Sequence, residues 1–280
     1  MEKEKCYHMT SYLKEIIQDG KLDIKVGKNS NFVNDIKSEN KGISYSLGLE
    51  GLVATNAMFR ARYQYDLLEN QTDRDITLDD MFLQNVNEQE NRAVGSNIYL
   101  IFDETEKIRN ENIERDIADP KTKSVINIEN ISGVVLKNKK TGELKYDRDS
   151  ILRYAISKIN IEDMLSKLTN SDRLFMNMEG YGKTDFSFKD YLKRYCEEML
   201  KESETIEISK NDYELEMMNV NELLNLVEKD NERDLGKSAF EDVMQDDKLR
   251  TSNVKDATNI IVQELKQENN KEKNEEELER

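Results

Sequence analysis

The sequence predicts an α+β protein, with an N-terminal α/β domain over residues 1–158 and a mainly helical region over 159–267. Three observations predict this class. Short strand-like runs alternate with helical patterns in the first part, and from about Asp147 the apolar side chains recur every three or four residues. Residues 268–280 are acidic and contain a single apolar side chain, Leu278. Such a segment buries too little apolar surface to fold alone, so we expect an acidic, disordered tail.

The elements of the first 70 residues follow from periodicity and from helix-ending signals. Residues 5–9 predict a first strand, and Leu13, Ile16 and Ile17 predict a helix that ends at Gly20, where glycine adopts the left-handed conformation at low cost. Alternation predicts a strand over 22–26, and residues 42–47 predict another. Apolar residues at helical spacing after Gly48 predict a helix that continues to about Glu69.

Beyond a polar stretch, the pattern predicts more strands and then helices. Residues 97–102 form the most strand-like run, and residues 131–136 and 144–146 predict a hairpin. Helices are predicted over 151–168 and 188–200. The alternating runs at 205–208 and 213–217 predict a second hairpin, which could belong to the N-terminal sheet.

Composition excludes several classes of protein. The chain carries 42 Lys and Arg against 58 Asp and Glu, a net charge of −16, and such a surface repels the phosphates of nucleic acids and anionic lipids. No apolar run approaches the ~20 residues of a membrane span. The first residues lack the apolar stretch of a signal peptide, so we expect a cytoplasmic protein. The composition also indicates an AT-rich genome, such as that of a bacterium or a phage.

The metal and thiol chemistry available to this chain is limited. Cys6 and Cys196 are too few for a disulfide framework or a zinc site. Cys196 is predicted to pack against apolar neighbours on its helix, and Cys6 is predicted to be a strand residue. Asp147 and Asp149 lack the rest of a calcium-binding loop, and Asp149 or Ser150 is better explained as a helix cap. We therefore predict no metal site. Nothing in the sequence indicates an oligomeric state.

His8 is the only histidine and the only side chain that titrates near neutral pH without help from its surroundings. It lies at the end of the first predicted strand, directly before a helix. One interpretation is a structural histidine whose hydrogen bonds are satisfied at this junction. The other is a ligand-binding side chain, and the surrounding sequence favours it.

Three ordered elements resemble the ADP-ribosyltransferase superfamily, of the His-Tyr-Glu type. The first is Tyr-His-Met-Thr-Ser at 7–11 with the helix that ends at Gly20; the second is Ile-Ser-Tyr-Ser at 43–46 before a helix. The third is an acidic stretch, Ile-Glu-Arg-Asp-Ile at 113–117, followed by the strand-like residues 126–135. Together they cover roughly residues 5–146. The resemblance implies a split β-sheet domain.

The resemblance also implies a substrate and roles for individual residues. NAD would be bound, and ADP-ribose would be transferred to an acceptor that is a protein rather than a nucleic acid, given the charge. His8 and Thr10 would contact a ribose, Tyr45 would stack on the nicotinamide, and Ser44 or Ser46 would shape the strand beneath it. A carboxylate, Glu114 or Asp116, would bind the nicotinamide ribose and stabilise positive charge at the anomeric carbon.

Two functional hypotheses remain open at this point. The first is an NAD-dependent ADP-ribosyltransferase. The second is a catalytically inactive protein that keeps the fold and binds a protein partner through its helical half and acidic surface, because fold similarity alone does not establish activity. The alternating Glu214 and Glu216 are interpreted as an exposed strand face, and the glycines at 180–182 are too close together for a phosphate-binding loop.

Overall fold

The structure is a computed structural model of the chain. It describes residues 4–10, 12–23, 42–69, 76–83, 98–111, 117, 120–168, 186–210 and 212–234. Contacts divide the chain into two compact units, residues 1–223 and 224–280. In the second unit, the described residues form the C-terminal part of one helix.

Helices and strands both contribute heavily to the first unit, as the α+β prediction requires. The strands, in chain order, are β1 (Lys5–Thr10), β2 (Lys21–Leu22), β3 (Ile43–Ser44), β4 (Ser46–Leu47), β5 (Ile98–Asp103), β6 (Lys121–Thr122), β7 (Ile126–Asn127), β8 (Ser132–Asn138), β9 (Leu144–Lys145) and β10 (Tyr213–Met218). The helices are α1 (Leu13–Asp19), α2 (Gly48–Glu69), α3 (Asp80–Leu83), α4 (Glu106–Asn110), α5 (Arg148–Lys158), α6 (Ile161–Lys167), α7 (Phe188–Lys201), α8 (Ser203–Lys210) and α9 (Val220–Asp234).

The main sheet is antiparallel, with strand order β10-β8-β5-β1-β4, and β9 also pairs with β8. β1 and β5 pair along their whole length, from Lys5 opposite Asp103 to Thr10 opposite Ile98. Two short antiparallel pairs, β2 with β7 and β3 with β6, lie outside this sheet. Because β10 pairs with β8, the strand predicted over 213–217 belongs to the N-terminal sheet.

One large core joins the sheet to α2, α5 and α7. Alternate strand residues enter it, among them Tyr7, Ile101 and Leu136, because side chains of a strand point alternately to its two faces. Phe188, at the first position of α7, is completely buried there. α7 begins where it does because Ser187 and Asp190 form a capping box, and these hydrogen bonds hold the pKa of Asp190 below its usual value.

A row of polar side chains on α2 crosses this core. Asn56 donates to the Tyr99 hydroxyl over 2.7 Å, and one turn later the Arg60 guanidinium lies 5.3 Å from the centre of the Tyr195 ring. A further turn along α2, Gln64 accepts from the Tyr191 hydroxyl over 2.6 Å. Asn56 and Gln64 are both more than nine-tenths buried. These hydrogen bonds satisfy Asn56 Nδ2 and Gln64 Oε1, whereas Gln64 Nε2 is buried without a partner among the described residues.

Most elements predicted for the first unit are confirmed. The helix predicted to run from Gly48 to Glu69 has those bounds, and Gly20 ends α1 with φ +67°. The hairpin predicted for 131–146 is formed by β8 and β9. Asp147, rather than Asp149 or Ser150, caps α5, since its carboxylate accepts from the Ser150 backbone N–H over 2.8 Å.

The second predicted hairpin is wrong. Residues 205–208 lie in α8, and β10 pairs with β8 instead of with this segment. The physical reason is that a four-residue alternating run also fits a helix. Thr205 and Ile208 are three residues apart, so both face the interior from one side of α8, and both are buried.

Candidate functional site

His8 is held at the surface of the sheet by the chain of β3. Its Nδ1 lies 2.8 Å from the carbonyl oxygen of Ser44, and its side chain is half-buried. A carbonyl oxygen can only accept, so Nδ1 carries the hydrogen and Nε2 of the neutral ring is an acceptor. Burial lowers the pKa of His8, and the hydrogen bond to Ser44 opposes this only in part. Because the ordinary pKa of a histidine already lies below 7 and this pKa is lower still, the ring is neutral at pH 7.

The acceptor nitrogen of His8 is available to a ligand. No hydrogen bond joins Nε2 to any residue that the structure describes. A neutral imidazole with a fixed tautomer and an uncommitted acceptor can bind a hydroxyl or amide donor. Ser44, whose carbonyl fixes that tautomer, is itself exposed on β3. The structure thus brings together two of the predicted ligand-binding residues.

The other predicted NAD-binding residues have contacts inside the protein. Thr10 is buried, and its Oγ1 accepts from the Tyr12 backbone N–H over 3.0 Å at the start of α1. The ring of Tyr45 is buried and meets the Phe102 ring edge-on, with 5.8 Å between centroids. Thr55 Oγ1 donates to the Gly51 carbonyl, so Ser46, 2.7 Å away, donates to Thr55.

The predicted catalytic residues, Glu114 and Asp116, lie outside the described residues. Ile117 and Pro120, two described residues that follow them, are hydrogen-bonded to the backbone of residues 45–47. The Leu47 backbone N–H donates to the Ile117 carbonyl over 3.1 Å, and that of Tyr45 donates to the Pro120 carbonyl over 3.0 Å. The chain therefore returns to the region of Ser44 directly after the acidic stretch.

A glycine makes this return possible. A Cβ atom on Gly51, in the first turns of α2, would lie 2.3 Å from the carbonyl oxygen of Ile117. That separation is far shorter than any van der Waals contact, so only glycine lets the Ile117 carbonyl approach α2 this closely. A glycine within a helical pattern does not indicate which backbone it meets, so the role of Gly51 is not evident from the sequence.

Glu111, which precedes the acidic stretch at 113–117, is hydrogen-bonded to residues 122–124. Its carboxylate accepts from the hydroxyls of Thr122 and Ser124 and from the backbone N–H of Lys123, the last over 2.7 Å. Slight burial raises the pKa of Glu111, but these hydrogen bonds outweigh it, and the pKa lies below its usual value. The sequence contains only a weak signal for this role: two hydroxyl side chains, Thr122 and Ser124, lie two residues apart.

The lowered pKa makes a pH-dependent contribution of Glu111 to stability. A carboxyl group whose pKa is lower in the folded state stabilises fully above its unfolded pKa, and this stabilisation is lost as pH falls through the folded pKa. We expect Glu111→Gln to lower the free energy of unfolding at neutral pH and the difference from wild type to shrink below about pH 4. Urea unfolding across this range measures it. Glu106→Gln, on α4, is the control; an equal pH trend in both variants would contradict the assignment.

A groove of about 460 Å³ lies beside residues 124–132. It lies between the start of β1, the end of β5, α4 and residues 124–132, and Met217 of β10 also lines it. We call it the 124–132 groove. Neither His8 nor Tyr45 lines it, so it is distinct from the His8 region.

The remaining chemistry of the described residues is sparse. Cys6 and Cys196 are buried and not joined in a disulfide, and burial raises the pKa of the Cys196 thiol to about 12, so Cys196 is not a nucleophile at neutral pH. Within the described ranges, no three His, Cys, Asp or Glu side chains are grouped to hold a metal ion. Among those same residues, no helix has the length and apolar character needed to cross a membrane.

Comparison with known proteins adds no relative. No family model matches the chain, and neither the curated proteins nor the solved structures contain a match.

Proposed function

We propose that this chain binds NAD at His8 and transfers ADP-ribose to a protein acceptor. The observation that carries the proposal is the hydrogen bond from His8 Nδ1 to the Ser44 carbonyl. It leaves Nε2 as an acceptor for a ribose hydroxyl, which is the role that the resemblance to ADP-ribosyltransferases implies. The antiparallel α+β architecture and the return of the chain to β4 after the acidic stretch also support it.

The roles of the other residues remain predictions within this proposal. Ser44 is exposed beside His8 and can contact the same ligand. For Tyr45 to stack on nicotinamide, its ring would have to leave Phe102. Glu114 or Asp116 would bind the nicotinamide ribose and stabilise the positive charge that develops as the bond between the anomeric carbon and nicotinamide breaks. The acceptor then forms a bond to that carbon and loses a proton. The charge of −16 favours a protein over a nucleic acid as this acceptor.

Substitutions of His8 test the proposal. We expect NAD to raise the melting temperature of the wild-type protein and nicotinamide to be released in solution. His8→Asn keeps a donor near the position of Nδ1 but removes Nε2, whereas His8→Gln keeps a polar group near the position of Nε2. Nicotinamide release should therefore fall by about a hundredfold or more in His8→Asn and by less in His8→Gln. Chromatography of the reaction products measures nicotinamide release by the wild type and both variants.

The controls separate loss of the ligand contact from loss of the fold. Both variants should have the far-UV circular dichroism and the NAD-free melting temperature of the wild type. If millimolar NAD stabilises none of the three proteins and no nicotinamide is released, the proposal is wrong. Equal release by wild type and His8→Asn would show that His8 does not contact the substrate.

A second candidate function is that of a catalytically inactive interaction protein. A specific observation favours it: Thr10, Tyr45 and Ser46 are buried and hydrogen-bonded or packed within the protein. A protein of this kind would keep the fold without binding NAD. The same experiment distinguishes the two, since an inactive protein shows neither stabilisation by NAD nor nicotinamide release.

A further inference from the structure

The 124–132 groove is lined in part by exposed apolar side chains. Among the described residues, large hydrophobic side chains with high exposure are Val125, at 48%, Leu200, at 38%, and Met217, at 58%. Two of these three, Val125 and Met217, line the groove. In a chain with a mean hydropathy of −0.83, exposed apolar surface at one concave place is a feature of binding sites.

The lining of the groove also offers uncommitted hydrogen-bonding groups. Asn127, Asn130 and Ser132 line it, and no hydrogen bond joins their side chains to any of the described residues. An Asn side chain presents both a donor and an acceptor, which matches the N–H and C=O of a peptide backbone. Two such side chains three residues apart can each pair with a peptide group of an occupant.

The charges of the groove cancel. Lys5 forms an ion pair with Asp103, with 2.6 Å between Nζ and Oδ1. Lys107 and Glu129, which also line the groove, contribute one charge of each sign. The described lining is therefore neutral although the chain carries −16. A phosphate-bearing or strongly acidic ligand has no excess positive charge to bind here.

We propose that the 124–132 groove binds an extended, uncharged peptide segment of a partner protein. Apolar side chains of that segment pack on Val125 and Met217, and its backbone amides pair with Asn127 and Asn130. Burial of exposed apolar side chains together with full pairing of backbone groups is how peptide grooves combine affinity with specificity. This proposal does not depend on NAD binding at His8, because the groove includes neither His8 nor Tyr45.

Selection from a random-peptide phage library on the full-length protein tests the proposal. We expect enriched peptides without net charge that carry apolar residues, and synthetic versions that bind in calorimetry. Met217→Glu and Val125→Glu should each weaken this binding by about tenfold or more, and Asn127→Ala should weaken it less. Because the groove is neutral, raising the salt concentration should leave the affinity nearly unchanged.

Matched controls make the result decisive. Leu200→Glu changes the third exposed hydrophobic, on α7 and outside the groove, and should bind the peptides as the wild type does. His8→Asn should also bind them unchanged, which separates this site from the proposed NAD site. All variants should retain the wild-type circular dichroism. The proposal is overturned if no peptide is enriched, if binding survives in Met217→Glu, or if acidic peptides are selected and dissociate at high salt.

Discussion

Replacing Phe188 with alanine is expected to lower the free energy of unfolding by about 3–5 kcal/mol. Phe188 is completely buried at the start of α7, in the core shared by the sheet, α2 and α5. The substitution removes the transfer free energy of a large aromatic side chain and leaves a cavity that the packed helices fill only in part. Since the chain has no tryptophan, urea unfolding followed by far-UV circular dichroism is the appropriate measurement.

Leu200→Ala is the matched control for this variant. Leu200 lies on the same helix, is also apolar and is exposed, so its truncation should change the free energy of unfolding by no more than about 0.5 kcal/mol. If both variants lost equal stability, the loss would come from α7 as a helix and not from packing of Phe188. A wild-type midpoint for Phe188→Ala would contradict the burial of this ring.

Gly51→Ala should destabilise the protein by about 2 kcal/mol, opposite in sign to its effect on an isolated helix. Alanine favours a helix interior over glycine by about 1 kcal/mol. Here, however, the new methyl group would lie 2.3 Å from the Ile117 carbonyl oxygen. That backbone oxygen accepts a hydrogen bond from the Leu47 N–H, so moving it away from the methyl group disrupts this hydrogen bond.

The comparison for Gly51→Ala is Glu197→Ala, at an exposed position of α7. Its free energy of unfolding should lie within about 0.5 kcal/mol of the wild type. Because the substitution displaces Ile117, we also expect Gly51→Ala to reduce the proposed nicotinamide release beyond its effect on stability. A stabilised Gly51→Ala protein would show that the Ile117 carbonyl does not approach α2.

Local signals in the sequence were sufficient for most elements of the fold. Gly20 ended a helix because its position demands a positive φ, and the bounds of α2 followed from its apolar spacing. The run at 205–208 was misassigned, since four residues do not distinguish a strand period from a helical one. The pairing of β10 with β8, between residues 75 to 85 positions apart, depends on packing that no local pattern encodes.

The site was less predictable than the fold. The sequence singled out His8 because it is the only histidine, but its tautomer depends on a carbonyl 36 residues away in the chain. Tyr45 was chosen by residue type, whereas its environment is set by Phe102 of another strand. The groove consists of residues from several separate elements, so no contiguous sequence motif predicts it.

The polar row on α2 has a consequence for the alignment of two helices. Gln64 meets Tyr191 and Arg60 meets Tyr195, so the contacts occur at successive turns of α2 and α7. Sliding α7 by one turn, about 5.4 Å, would bring Arg60 to Tyr191 and leave Gln64 Oε1 buried without the hydroxyl that now donates to it. A purely apolar interface would tolerate such a slip, whereas this one selects a single register for the two helices.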